Sequence, residues 1–176
     1  MSWTDFYRRR DALNAVLEHA RRNPADTLPY AEVPAAAAEF AGPADLLLAL
    51  HHKWIMKLTG HLGVALSEAE RNPDVDPIDA VQAGWRATAA EHPTLRRLLD
   101  AGMSEHAGLA AAMRPAIEGE QRLLAVAADL VEPRDSAAEI TRVGATLLAL
   151  LRNASERPAR RRGPVEQLLR RLVASA

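Results

Sequence analysis

The chain has 176 residues, enough for one domain with a single sizeable core, and its 22 Lys and Arg nearly balance 23 Asp and Glu. Hydrophobic residues make up 48% but aromatics only 4%, so the apolar mass is Ala and Leu, which favours closely packed helices and argues against a β sandwich. There is no cysteine, which excludes disulfides, thiolate metal sites and a cysteine nucleophile, and is compatible with a reducing compartment.

At the N-terminus, Trp3, Phe6, Tyr7, Leu13, Val16, Leu17 and Ala20 recur at helical spacing up to Asn23-Pro24, which predicts an amphipathic helix from about Ser2 to Arg22. Arg8, Arg9 and Arg10 are followed by no apolar run, so this segment is not read as a secretory signal and a cytoplasmic location is expected. Pro24, Pro29, Pro34 and Pro43 interrupt the next stretch and leave room only for a short turn of helix near Ala35 to Phe40. A long helix is predicted from Ala44 to Arg71. Its Leu46 to Leu66 portion is broken by His51, His52, Lys53, Lys57 and His61, so no membrane span is expected.

Asp76-Pro77-Ile78-Asp79 then supplies an N-cap, a proline suited to the first helical position and an acid at the positive helix end. That helix should stop at His92-Pro93. Thr94 to Gly102 predicts a short helix and Ser104 to Val131 a longer one, bent near Pro115 and ended by Glu132-Pro133. Ser136 with Glu139 forms a capping box for a helix to Asn153. Beyond a polar linker, Gly163-Pro164 opens a last amphipathic helix carrying Val165, Leu168, Leu169 and Leu172. No strand pattern and no internal repeat is visible, so the fold class is all-α, a multi-helix bundle. It divides into a head (1–43), a core (44–156) and an Arg-rich linker with a C-terminal helix (157–176).

The run Phe40-Ala41-Gly42-Pro43-Ala44-Asp45-Leu46-Leu47-Leu48-Ala49-Leu50 resembles the junction in TetR-family transcriptional regulators where an aromatic ends the recognition helix and the long connecting helix begins. Ala80-Val81 to Trp85-Arg86, followed by Glu91-His92-Pro93-Thr94-Leu95-Arg96-Arg97-Leu98-Leu99, is similar to two helices of that family joined at a proline. Leu147-Leu148-Ala149-Leu150-Leu151 lies where the family places a dimerisation helix. The resemblance covers most of Phe40 to Asn153. It implies a ligand-responsive sensor domain, a homodimer whose interface would include Val143, Leu147, Leu150 and Leu151, and a role in transcription regulation. The head departs from the pattern, because Pro29 and Pro34 leave no room for a complete helix-turn-helix. The residues facing DNA would be Ala35-Ala36-Ala37-Ala38-Glu39, which offer base edges at most a methyl contact. DNA contact through Arg8, Arg9 and Arg10 would reach phosphates, which position a protein without reading sequence.

Two stripes are candidates for a binding site. On the long helix Leu47, His51, Trp54, Leu58, His61 and Ala65 fall three or four residues apart, and on the next helix Ile78, Val81, Trp85, Thr88 and His92 do the same. Facing each other, they would line an apolar pocket for a small hydrophobic ligand, with His51, Trp54, Leu58, His61, Trp85, Thr88 and His92 as its lining. The same spacing also fits a plain core with histidines at its edge. His51 and His61 stand about 15 Å apart along one helix, too far to share an ion, so neither a metal nor another cofactor is expected. Ser67, Ser104, Ser136 and Ser155 lack a nucleophile-elbow context, and the glycines form no phosphate loop, so no catalytic residue and no enzyme activity is expected. Glu118 and Glu120, beside Gln121, read as a solvated helix face.

Arg157, Arg160, Arg161 and Arg162 read either as a solvated linker or as a patch for nucleic acid or an acidic partner. Leu168, Leu169 and Leu172 are available either for packing within the chain or for the dimer. The expected function is therefore a TetR-like ligand-responsive regulator, and the alternative is a helical protein–protein interaction module that does not bind DNA.

Overall fold

The computed structural model describes residues 3–25, 27–72, 74–105, 107–132 and 134–156. Among them the chain forms seven helices and no strand: α1 (Trp3–Arg22), α2 (Pro34–Glu39), α3 (Pro43–Arg71), α4 (Pro77–Glu91), α5 (Pro93–Glu105), α6 (Ala107–Ala127) and α7 (Ala137–Glu156). No helix among the described residues is long and apolar enough to cross a membrane. The predicted C-terminal helix, with Leu168, Leu169 and Leu172, and the Arg157 to Arg162 cluster lie outside the described residues.

The prolines act as the sequence suggests. Pro34, Pro43 and Pro77 each open a helix, where the missing N–H would have had no partner in any case. Asp76 caps α4 by accepting from Ile78 N at 2.7 Å, and Ser136 Oγ accepts from Glu139 N at 3.2 Å. The sequence places the end of α6 at Glu132-Pro133, but the helix stops at Ala127. Asp129 adopts a left-handed φ of 54°, while Leu130 N donates to Ala125 O and Asp129 N to Val126 O, the bond pair of a Schellman ending.

The core is built around α3, whose Leu46, Leu47, Leu50, His51, Trp54, Leu58 and Leu62 are buried along one face. Each fully buried Leu contributes roughly 1.5–3 kcal/mol through surface removed from water. Helices α4, α5 and α6 pack around α3, and α7 pairs with α6. On the head side Ala12, Val16 and Ala20 of α1 meet Val33, Ala36 and Phe40 around α2.

The structure also contains a repeat, which the sequence carries in register as Pro73 and Pro133, Asp76 and Ser136, Asp79 and Glu139, and Gly84 and Gly144. Hairpins α3–α4 and α6–α7 share one turn design: Val75 N donates to Asn72 O as Asp135 N donates to Glu132 O, and Ala80 N to Asp76 O as Ile140 N to Ser136 O. Each then brings a glycine against the preceding helix. A Cβ on Gly84 would sit 3.2 Å from His61 O, and one on Gly144 would overlap the backbone carbonyl of Gln121. Asp76 and Ser136 hold the same capping position in the two turns, so the likeness extends from backbone bonds to side chains.

Gly144→Ala should therefore lower unfolding stability by about 3 kcal/mol, since backbone cannot swing aside as a side chain can. Gly60→Ala, exposed in mid-helix with nothing within 4 Å of the added Cβ, should raise it by up to about 1 kcal/mol. Urea unfolding of the two variants checks both.

Candidate functional site

The most unusual feature of the core is a carboxylate. Glu120 of α6 is 1% exposed, and it is held from α3 by His51 Nε2 at 3.0 Å and by Trp54 Nε1, which donates at 2.9 Å. An ionised carboxylate only accepts, so His51 Nε2 carries the hydrogen. Arg96 of α5 lays its guanidinium over the Trp54 ring, 4.9 Å from the centroid, and forks onto Asp100 at 3.1 and 2.8 Å. Arg152 of α7 lies within the electrostatic reach of Arg96, Asp100 and Glu120. The cluster thus joins four helices, and its two acids, Glu120 and Asp100, balance its two arginines.

Burial alone would push the Glu120 carboxyl upward. The His51 hydrogen bond, the Arg96 charge and the Trp54 indole outweigh it and leave Glu120 below its ordinary value of 4.5. Burial, aided by the charge of Arg96, lowers Arg152, against the pull of Asp100 and Glu120. Among the described residues, the buried side-chain atoms without a hydrogen-bond partner are Trp85 Nε1, His92 Nε2, Arg96 Nη1 and Arg152 Nε. The indole and the two guanidinium nitrogens are donors only. Unpartnered buried donors cost stability and mark places where an acceptor is wanted.

The two predicted stripes do face each other across α3 and α4. Trp54 and Trp85 meet edge to face, 5.9 Å between centroids and 73° apart, and fill the space between the helices. His51, Trp54, Leu58, Trp85 and Thr88 are buried, with Thr88 Oγ1 donating to Gly84 O. His61 and His92 lie apart from them at the half-buried end of the stripes, with Glu91 between them. An open cleft of about 500 Å³ borders the charged cluster instead, lined by Ala89, Pro93, Arg96, Arg97, Asp100, Ala101 and Ser104.

Glu120, Arg96, Asp100 and Arg152 were outside the predicted lining. Glu120 in particular corrects the expectation of a solvated face: Glu118 is exposed, but Glu120 points into the bundle. Its position two residues from Glu118 puts it on the opposite side of α6, four residues before the buried Leu124, a spacing that could have signalled it.

In the head, Arg8 pairs with Asp5 at 2.6 Å and with Glu39 at 3.4 Å, and Arg10 pairs with Asp11 at 2.9 Å and lies over Tyr7. Arg9 stacks on Phe40 and bonds Glu39 O and Asp45, holding the Asp45 carboxyl below its usual range. All three arginines thus have partners within the chain. Of the predicted dimer residues, Leu147 and Leu151 are buried within the chain, Val143 is half-buried and Leu150 is exposed.

No family model, no curated protein and no solved structure matches the chain.

Because folding lowers the Glu120 carboxyl, its stabilisation is complete above the ordinary carboxylate value of 4.5 and is lost as pH falls through the lower folded value. Glu120→Gln should cost about 3 kcal/mol at neutral pH, leaving the arginines uncompensated, and should flatten the acid limb of stability against pH. Urea unfolding of both proteins across the acid range checks this.

Proposed function

We propose that this chain is a ligand-responsive regulatory protein of the TetR-like kind, in which the helical core senses a small apolar molecule bearing an acceptor group such as a carboxylate. The observation that carries this reading is the open cleft beside the buried charged cluster, with Arg96 belonging to both. Ala89, Pro93 and Ala101 give the cleft apolar walls, and Arg96 and Arg97, set against the single acid Asp100, leave it net positive.

The two arginines also suggest how occupancy would be transmitted. Arg96 reaches into the core against Trp54, while its neighbour Arg97 donates from Nη2 to Ala20 O at 2.6 Å, in the last turn of α1. That carbonyl lies at a helix end without an intrahelical partner, so Arg97 serves as a cap joining α5 to the head. A ligand contacting both side chains would favour one placement of α5 over another, and such a shift can be no larger than the ligand's difference in affinity for the two.

The output is the part of this reading that the head bears on. Arg8, Arg9 and Arg10 are engaged within the chain, and α2 is a six-residue helix without a basic side chain. A second reading, that the head grips another protein, is favoured by the exposed Trp3 (78%), Phe6 and Tyr7 on α1 and Leu48 and Met56 on α3. Selection of DNA fragments at moderate salt separates the two: an enriched palindrome supports a DNA-binding regulator, and no enrichment supports a protein partner.

The sensing role is tested in a Trp3→Phe background, which leaves the buried Trp54 and Trp85 as reporters. Titration with a panel of small apolar carboxylates should give a saturable fluorescence change, and Arg97→Gln should weaken it roughly tenfold through loss of a charge-assisted bond. No response across the panel, or an unchanged affinity in Arg97→Gln, would contradict the reading.

A further inference from the structure

At the far end of the two stripes the fold brings together three side chains that neither the charged cluster nor the cleft beside it uses. His61 Nε2 lies 3.0 Å from Glu91 Oε2, and His92 Nε2 lies 3.3 Å from Glu91 Oε1. One ligand atom from each of the three residues falls within 4.8 Å of the others. We propose that His61, Glu91 and His92 form a binding site for a divalent first-row transition ion, with zinc the best-fitting common one.

The backbone explains why residues so placed can converge. Neighbours within a helix project about 100° apart and cannot easily share an ion. Glu91 is the last residue of α4, however, and Pro93 forbids the helix from continuing, so His92 takes the cap conformation φ −125°, ψ 53°. That break swings the imidazole beside the carboxylate. His61 arrives from α3, which α4 pairs with along its length. Two imidazoles and a carboxylate form a donor set common in zinc sites that keep one position open.

A second observation points the same way. His92 Nε2 is buried yet has no hydrogen-bond partner, since the nearby Glu91 oxygen lies off the direction a ring N–H needs. A buried nitrogen aimed into the cluster with nothing to bond is explained if it serves as a lone-pair donor to an ion.

The donor atoms select the kind of ion. Magnesium and calcium are held by oxygen atoms and would meet a single carboxylate here. Imidazole nitrogens instead suit zinc and its first-row neighbours. The site borders a cleft of about 450 Å³ that Asn14, Leu17 and Glu18 of α1 line together with Glu91 and His92, which leaves room for water at the remaining position.

The test is equilibrium dialysis of the untagged full-length chain against zinc chloride, with metal content measured per chain. The wild type should bind one zinc per chain at micromolar concentrations and gain thermal stability from it. His61→Gln and Glu91→Gln, both at partly exposed positions, should keep their helical circular dichroism and bind zinc roughly tenfold or more weakly. His52→Gln, an exposed histidine on the same helix, should bind as the wild type does. Absence of zinc binding, unchanged binding in His61→Gln and Glu91→Gln, or an equal loss in His52→Gln would overturn the assignment. The readout does not involve Arg96, Arg97 or the carboxylate panel, so it stands or falls apart from the proposed sensing role.

Discussion

The arrangement of this bundle depends on one buried carboxylate. Apolar side chains can slide past one another with modest loss, but a charge removed from water is tolerated only where hydrogen bonds and opposite charge replace its hydration. Glu120 finds those in one place, between His51 and Trp54 on α3 and within the field of Arg96 on α5. Meeting that requirement fixes the placement of α6 on α3 and of α5 beside both. The Trp54 ring serves twice, donating its N–H to Glu120 and offering its face to Arg96, while Trp85 closes against it from α4.

The constraint extends outward through α5. Its consecutive arginines face different neighbours, Arg96 the charged core and Arg97 the last turn of α1, so a helix of modest length ties the core to the head. The shared turn design of α3–α4 and α6–α7, each with a glycine pressed on its partner helix, keeps the two helices of each pair closely packed, and α5 lies against α3 and α6.

Local chemistry made the helices legible. Proline at helix starts, the caps at Asp76 and Ser136, and the break at His92-Pro93 all depend on residues close in sequence, and each lies where the spacing predicts. The end of α6 was less visible because Asp129 holds a left-handed conformation that glycine or asparagine would have advertised. The site was legible only in part. His51 and Trp54 on α3 and Trp85 on α4 each stand on an apolar stripe that a single helix records. Arg96 and Arg152 look like ordinary charged surface until helices distant in sequence pack, and Glu120, whose spacing from Leu124 puts it on the inner face of α6, finds its partners only on those helices. The meeting of His61 with His92 is likewise a tertiary event, produced by the pairing of α3 and α4 and by the cap at the end of α4.

Whether the Glu120 contacts act as a unit organising the core is measured by a double-mutant cycle. His51→Leu, Glu120→Leu and the combined variant would be compared with the wild type by urea unfolding. Each single change strands a buried polar partner, whereas the pair removes both, so the double variant should be more stable than the sum of the single losses allows, by roughly 1–3 kcal/mol. Strictly additive losses would contradict it and would reduce Glu120 to a buried acid with no organising role.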